Sequence, residues 1–233
     1  FARNKILEMD EVPRAHEYQQ MTGARIGQVD AWIAERLYTD NDFDIVTDPA
    51  TGVNTYTLKK GIPVSKYGAV YPGNIKYKDM NDDGVIDEYD WVRTPEGTYP
   101  RRPEITYGFG LSFGYGGLYV SSFFQGVANV SVYLAPVEML PFLGSQPLTT
   151  SVKDFALDRW TSENPRQDVV LPRLMLDNVN ANDNRRSTWW LRDGSFLRFK
   201  NLEIGYRFSP KVLQALRMKA LRVYFLAQNL HVW

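Results

Sequence analysis

The stretch "ITYGFGLSFGY", Ile105–Tyr115, decides the fold. Ile105, Tyr107, Phe109, Leu111, Phe113 and Tyr115 fall on one side of an extended chain, and Thr106, Gly108, Gly110, Ser112 and Gly114 on the other. A strict period of two sustained this long marks a strand with one apolar face. That face is large, with aromatic residues at both ends, while the other is small. Beyond Gly116 and Gly117 the chain resumes as "LYVSSFFQG", with Leu118, Val120 and Phe124 on one face and Tyr119, Ser121 and Gln125 on the other. Two such runs about a Gly-rich turn predict an antiparallel hairpin over 105–128.

The same features return near the end of the sequence. In "FLRFKNLEIGYRF", Leu202, Ile204, Tyr206 and Phe208 share a face opposite Glu203, Gly205 and Arg207. Leu197 and Phe199 have the other parity, so the pattern flips near Lys200–Asn201 and predicts a bulge or a crossing of a membrane interface. "SPKVLQALRMKA" then reads as a connector, with Ser209 as N-cap and Pro210 at the first helical position. In the closing run, Leu221, Val223, Phe225 and Ala227 oppose Arg222, Tyr224 and Gln228. Counting Phe1–Met9 as the end of another, five strands are recognisable.

Connections between the strands alternate, short at 115–118 and 208–220 and long at 10–104 and 129 to about 188. Alternation of this kind is the habit of transmembrane barrels, whose strands span with about 9–11 residues. A soluble β-sandwich also alternates along its strands, but its loops are shorter and more even. Five strands are too few to close a barrel, so the reading is of a piece of a larger one.

Composition narrows the function. The chain has 233 residues, with 27 basic and 27 acidic side chains and so no net charge. Nucleic acid is therefore not the expected partner, since binding phosphates calls for a basic excess or patch. Aromatic residues make up 14%, which suits strands and membrane interfaces. With no cysteine and two histidines, disulfides, thiolate metal sites and a His-rich zinc site are excluded. No apolar run is long enough for a transmembrane helix.

Several segments, in this order, carry a family likeness: "NKILEMDEVP", "TGARIGQ", "PGNIKYKDMNDDGVIDEYD", "ITYGFGLSFGYGGLYVSSFFQGV", "RWTSENPR", "WLRDGSFLRFKNLEIGYRF" and "LRVYFLAQNL". Together they resemble the barrel of SusC/RagA-like TonB-dependent outer-membrane transporters of Bacteroidetes. The likeness weakens at about 30–70 and 129–150, and "QVDAWIAERLYTD" departs from the more aromatic, Gly-containing version usual there. The resemblance implies an all-β fold: part of a large antiparallel transmembrane barrel with long extracellular loops, the plug and final strands lying outside residues 1–233. It implies import of oligosaccharides or peptides across the cell outer membrane. The implied partners are outer-membrane lipid, a SusD-like surface lipoprotein, and TonB acting through regions not in this chain.

One loop calls for chemistry of its own. "DMNDDGVIDEYD", Asp79–Asp90, matches the twelve-residue EF-hand template without flanking helices. Asp79, Asn81 and Asp83 fill positions 1, 3 and 5, and Gly84 supplies the turn at 6. Val85 offers its carbonyl at 7, Ile86 is the apolar residue at 8, Asp87 fills 9, and Asp90 replaces the usual Glu at 12. Calcium wants six to eight oxygens, which this spacing supplies. The bland reading is an Asp/Asn/Gly-rich surface turn. The expectation is a structural calcium ion stiffening an extracellular loop, residues 71–102.

Other features read as weaker. Trp189 and Trp190 suit the aromatic girdle of a membrane interface better than a sugar platform. "SVKDFALDRWT" predicts a short helix with Val152, Phe155, Ala156 and Trp160 on one face. Asp154 and Asp158 are acidic residues in that segment, but nothing in their setting marks a glycosidase pair, so no enzyme is predicted. The alternative to a transporter is a soluble, calcium-stabilised carbohydrate-binding β module, whose outward aromatic residues would have to pack against a second sheet.

Overall fold

The computed structural model describes residues 4–141, 152–175 and 181–233. The chain divides into two compact units, one holding Arg102–Ser131 and Asp193–Trp233, the other Asn4–Arg101 and Val132–Arg192. Among the described residues no helix is long and apolar enough to cross a membrane.

The first unit is a four-stranded antiparallel sheet of long strands, Ile105–Tyr115, Leu118–Ala128, Phe196–Arg207 and Arg222–Val232. The second strand lies between the first and third, and the fourth flanks the third. Tyr115 pairs with Leu118 across Gly116 and Gly117, whose φ angles of 58° and 94° suit a two-residue hairpin turn. Gly117 is needed twice over, because a Cβ there would also meet the Arg207 carbonyl oxygen and the Tyr206 ring. The long connections leave from one end of the sheet, where Ala128 faces Ile105 and Val127 faces Phe196. The short ones lie at the other.

Register explains the parity flip. Phe123 pairs with Asn201 and Phe124 with Phe199, so Lys200 is the extra residue of a bulge. Phe199 thereby returns to the apolar face, where its ring stacks on Phe124 at 4.6 Å, and Phe124 stacks on Phe109 at 5.0 Å. No described residue of the unit covers this face: Leu111 is 67% exposed, Phe113 70% and Phe225 64%. The opposite face is polar. Tyr119 lies over Gly205, donates its hydroxyl to Glu203 at 2.5 Å and receives Arg207 against its ring. Arg222 pairs with Glu203 at 3.6 Å. Ser209 caps the connecting helix Pro210–Ala215 by backbone position only, with no side-chain bond.

Two expectations of secondary structure are corrected. Residues 4–9 form no strand; Ile6 instead exchanges two backbone hydrogen bonds of 2.8 Å with Gly23 and Ala24. Apolar Ile6 and Leu7 are neighbours there, so no face alternates and no sheet edge is specified. The predicted helix of "SVKDFALDRWT" shrinks to a 3-10 turn, Asp154–Leu157, with Val152 exposed and only Ala156 and Trp160 buried. Phe1–Arg3 lie outside the described residues.

The second unit is built of short paired strands around a core of Leu37, Ile75, Tyr77, Ile86, Leu171 and Trp190. Trp190 is fully buried and donates its indole N–H to the Asp183 carbonyl at 2.8 Å, while Trp189 donates to the Val170 carbonyl. Neither stands as a girdle residue or an open sugar platform. A buried polar knot fixes the same region: the Asp183 carboxylate accepts from Asn74 Nδ2, the Ile75 N–H and Asn182 Nδ2. Tyr77 donates to the Asn182 carbonyl at 2.8 Å. Burial pushes the Tyr77 phenol well above its usual value, so it serves as a neutral donor.

Candidate metal centre

The Asp79–Asp90 loop is held in the second unit from both sides. Val85–Ile86 pairs in parallel with Val64–Ser65, and Trp91–Val92 pairs with Ala31–Trp32. Ile86 enters the core at 1% exposure, as an apolar position 8 should. Side chains from distant segments grip the loop's carbonyls. Trp32 donates to Asp87, Tyr18 to Tyr89, and Gln19 to Glu88 and Trp91. Lys66 pairs with Glu88 at 2.9 Å and Asp87 at 3.6 Å.

Within the loop, every predicted side chain bonds to the loop itself. Asp79 Oδ2 accepts the Gly84 N–H at 2.8 Å, which draws position 1 across to the turn. Asn81 accepts from Asp83 N–H, and Asp83 from Val85 N–H. Asp87 accepts from Tyr89, and Asp90 closes the loop by accepting from Met80 and Asp87 N–H at 2.8 and 2.7 Å. Gly84 has φ +83°, and a Cβ there would touch nothing. Glycine is required for the backbone angle, not for space. Asp82 also takes a positive φ, 58°, which short polar residues tolerate.

What the loop offers a cation is more limited than its sequence suggests. Among the described residues no three His, Cys, Asp or Glu side chains gather closely enough to hold a metal ion. Two features nevertheless suit a cation. Asp79 Oδ1 is buried without a hydrogen-bond partner. The parallel pairing uses the Gly84 and Ile86 carbonyls, at 3.0 Å each, and so leaves that of Val85 on the opposite side. The field is negative: burial raises the Asp90 carboxyl above its usual range, and the charges of Asp79 and Asp87 add to this. After burial, the loop's acidic groups also raise the Tyr18 phenol.

Of the two acidic residues in the Asp154–Leu157 segment and just beyond it, Asp158 is tied into the local structure. Asp158 binds Arg166 at 2.7 Å and accepts the Val170 N–H. A second feature, which the sequence did not reveal, is a cleft of about 650 Å³ lined by residues from three separated segments.

Comparison with known proteins gives a consistent likeness. No family model matches. "TonB-dependent receptor P3" of Formosa agariphila is 26% identical over 159 residues, which is 68% of this chain and 14% of that protein. The RagAB peptide importer in its closed-closed state aligns at TM-score 0.54 and 18% identity, covering 92% of this chain and 20% of that one. Its open-open state aligns at 0.50 and 23%, covering 82% and 20%. The chain thus spans about a fifth or less of the proteins it matches. The fold is that of part of a TonB-dependent transporter barrel.

Proposed function

We propose, from this likeness to TonB-dependent receptors, that the chain supplies part of the wall and outer loops of an outer-membrane importer. The full protein takes up oligosaccharides or peptides with a SusD-like lipoprotein, and TonB supplies the energy. The observation that carries this is the uncovered face of the four-stranded sheet. Its aromatic and aliphatic side chains alternate with a polar face, and its outer strands present unpaired edges that neighbouring barrel strands would complete. A soluble β module would have to cover that face with a second sheet, and the apolar side chains stand exposed within the unit. The test is deletion of the whole gene, followed by fractionation and growth on defined oligosaccharides and peptides. The reading requires the protein in the outer membrane fraction and a growth defect matched by loss of TonB. A protein found in soluble fractions would refute it.

Within that reading the Asp79–Asp90 loop takes a structural calcium ion. Side-chain oxygens of Asp79, Asn81, Asp83 and Asp90 and the Val85 carbonyl would hold it, with Asp87 directly or through water. The orphaned Asp79 oxygen and the linear spacing of donors support this. The ion neutralises a negative loop and pins the segments that grip it. Proteolysis of the full-length protein between 71 and 102 should be slowed by calcium in wild type and not in Asp79→Ala. Equal cleavage with calcium and with chelator would leave only an acidic turn.

A further inference from the structure

We propose that the cleft of about 650 Å³ in the second unit is a binding site for a short stretch of neutral oligosaccharide. Its volume is that of an ordinary ligand pocket. One wall is the hairpin Phe43–Thr47 with Asn54–Leu58. Phe43 and Leu58 form a cross-strand pair packed with Tyr38 and Val70 in a small core. The next pair on the same face, Ile45 and Tyr56, lines the cleft, as does Asn54 at the tip. A single face thus passes from core to binding wall along the hairpin. The other wall is "RWTSENP", held by Trp160. Its backbone N–H donates to the Leu171 carbonyl at 3.0 Å, and its ring sits against Gly73, where any Cβ would overlap it. Arg173 packs against the rings of Tyr71 and Trp160.

The lining chemistry selects the ligand. Two guanidiniums, Arg159 and Arg173, and two carboxylates, Asp40 and Glu163, line the cleft, so its charge balances. An anionic or cationic ligand would meet one pair unfavourably. Asn41 and Asn54 offer both donors and acceptors beside them. Exposed hydroxyls, each donor and acceptor at once, are the groups that use such a mixed set, and the half-buried Tyr56 adds an aromatic side chain to the lining. This site deepens the importer reading and rests on it for the ligand's fate.

The test uses the full-length transporter, screened against neutral oligosaccharides, anionic oligosaccharides and short peptides. Titration of the best neutral hit then compares wild type with N41A/N54A, both exposed positions outside the packed core. Binding of a neutral oligosaccharide, weakened tenfold or more in the variant, is the expected result. Unchanged affinity, no neutral hit, or peptide binding that these substitutions abolish would overturn it. Uptake of the same sugar is followed separately. Unchanged binding with intact TonB-dependent uptake removes the cleft and keeps the importer, whereas absent uptake of every oligosaccharide and peptide screened removes the importer.

Discussion

At the scale of single residues, backbone angle and buried charge dominate. Gly84 sits at φ +83° with open space around its Cα, so Gly84→Ala adds strain without a clash. The cost is about 1 kcal/mol. Calorimetric titration of the full-length protein should show calcium affinity reduced several-fold, and an unchanged affinity would mean that the turn does not shape the site. Asp42 gives a pH prediction. Arg36 bonds it through both terminal nitrogens at 2.6 Å, and this pairing holds its carboxyl down to about 2. A depressed folded value stabilises above the ordinary carboxylate range near about 4 and is lost as pH falls. Protease protection of the hairpin Phe43–Thr47 with Asn54–Leu58 should therefore hold at neutral pH and fall between about pH 4 and 2. Arg36→Gln should move that loss upward.

The loop proposed to hold an ion could be singled out in sequence because its oxygen donors lie within twelve consecutive residues, Asp79–Asp90, where spacing alone is informative. Trp190 was not. Its indole partner is the Asp183 carbonyl, and the core that buries it comes from Leu37, Ile75 and Tyr77, more than a hundred residues away. Two adjacent tryptophans before a strand carry no signal of such contacts.

At the scale of elements, the long strands are stated by their own periodicity. The hairpin 105–128 and its faces follow from side chains alternating about Gly116–Gly117. Even the bulge at Lys200 was visible, because a flip in apolar parity has few other causes. The short strands of the second unit were not legible: pairs such as Val64–Ser65 with Val85–Ile86 are too brief to show a period. Leu111 and Ser112 provide the element-scale test, as neighbours on opposite faces of one strand. Leu111→Arg on the lipid side should cost roughly 2–4 kcal/mol at the bilayer midplane and reduce folded protein in the outer membrane. Ser112→Arg, pointing to the polar side, should be tolerated. Equal effects from the two would deny that the sheet has a lipid face.

At the scale of the whole molecule, one unit presents an open apolar wall and the other is loop-rich with a core of its own. The cleft stayed hidden from the sequence because its walls, near 39–56 and 159–174, lie about a hundred residues apart. Exposure of that wall to lipid can be measured residue by residue. Nitroxide labels on single cysteines at positions 109 to 114 of the full-length protein, in bilayers, report contact with dissolved oxygen and with a water-soluble nickel chelate. High oxygen contact is expected at 109, 111 and 113 and low contact at 110, 112 and 114. Labels at 109, 111 and 113 that meet the nickel chelate, or that are immobile and shielded from both reagents, would contradict it.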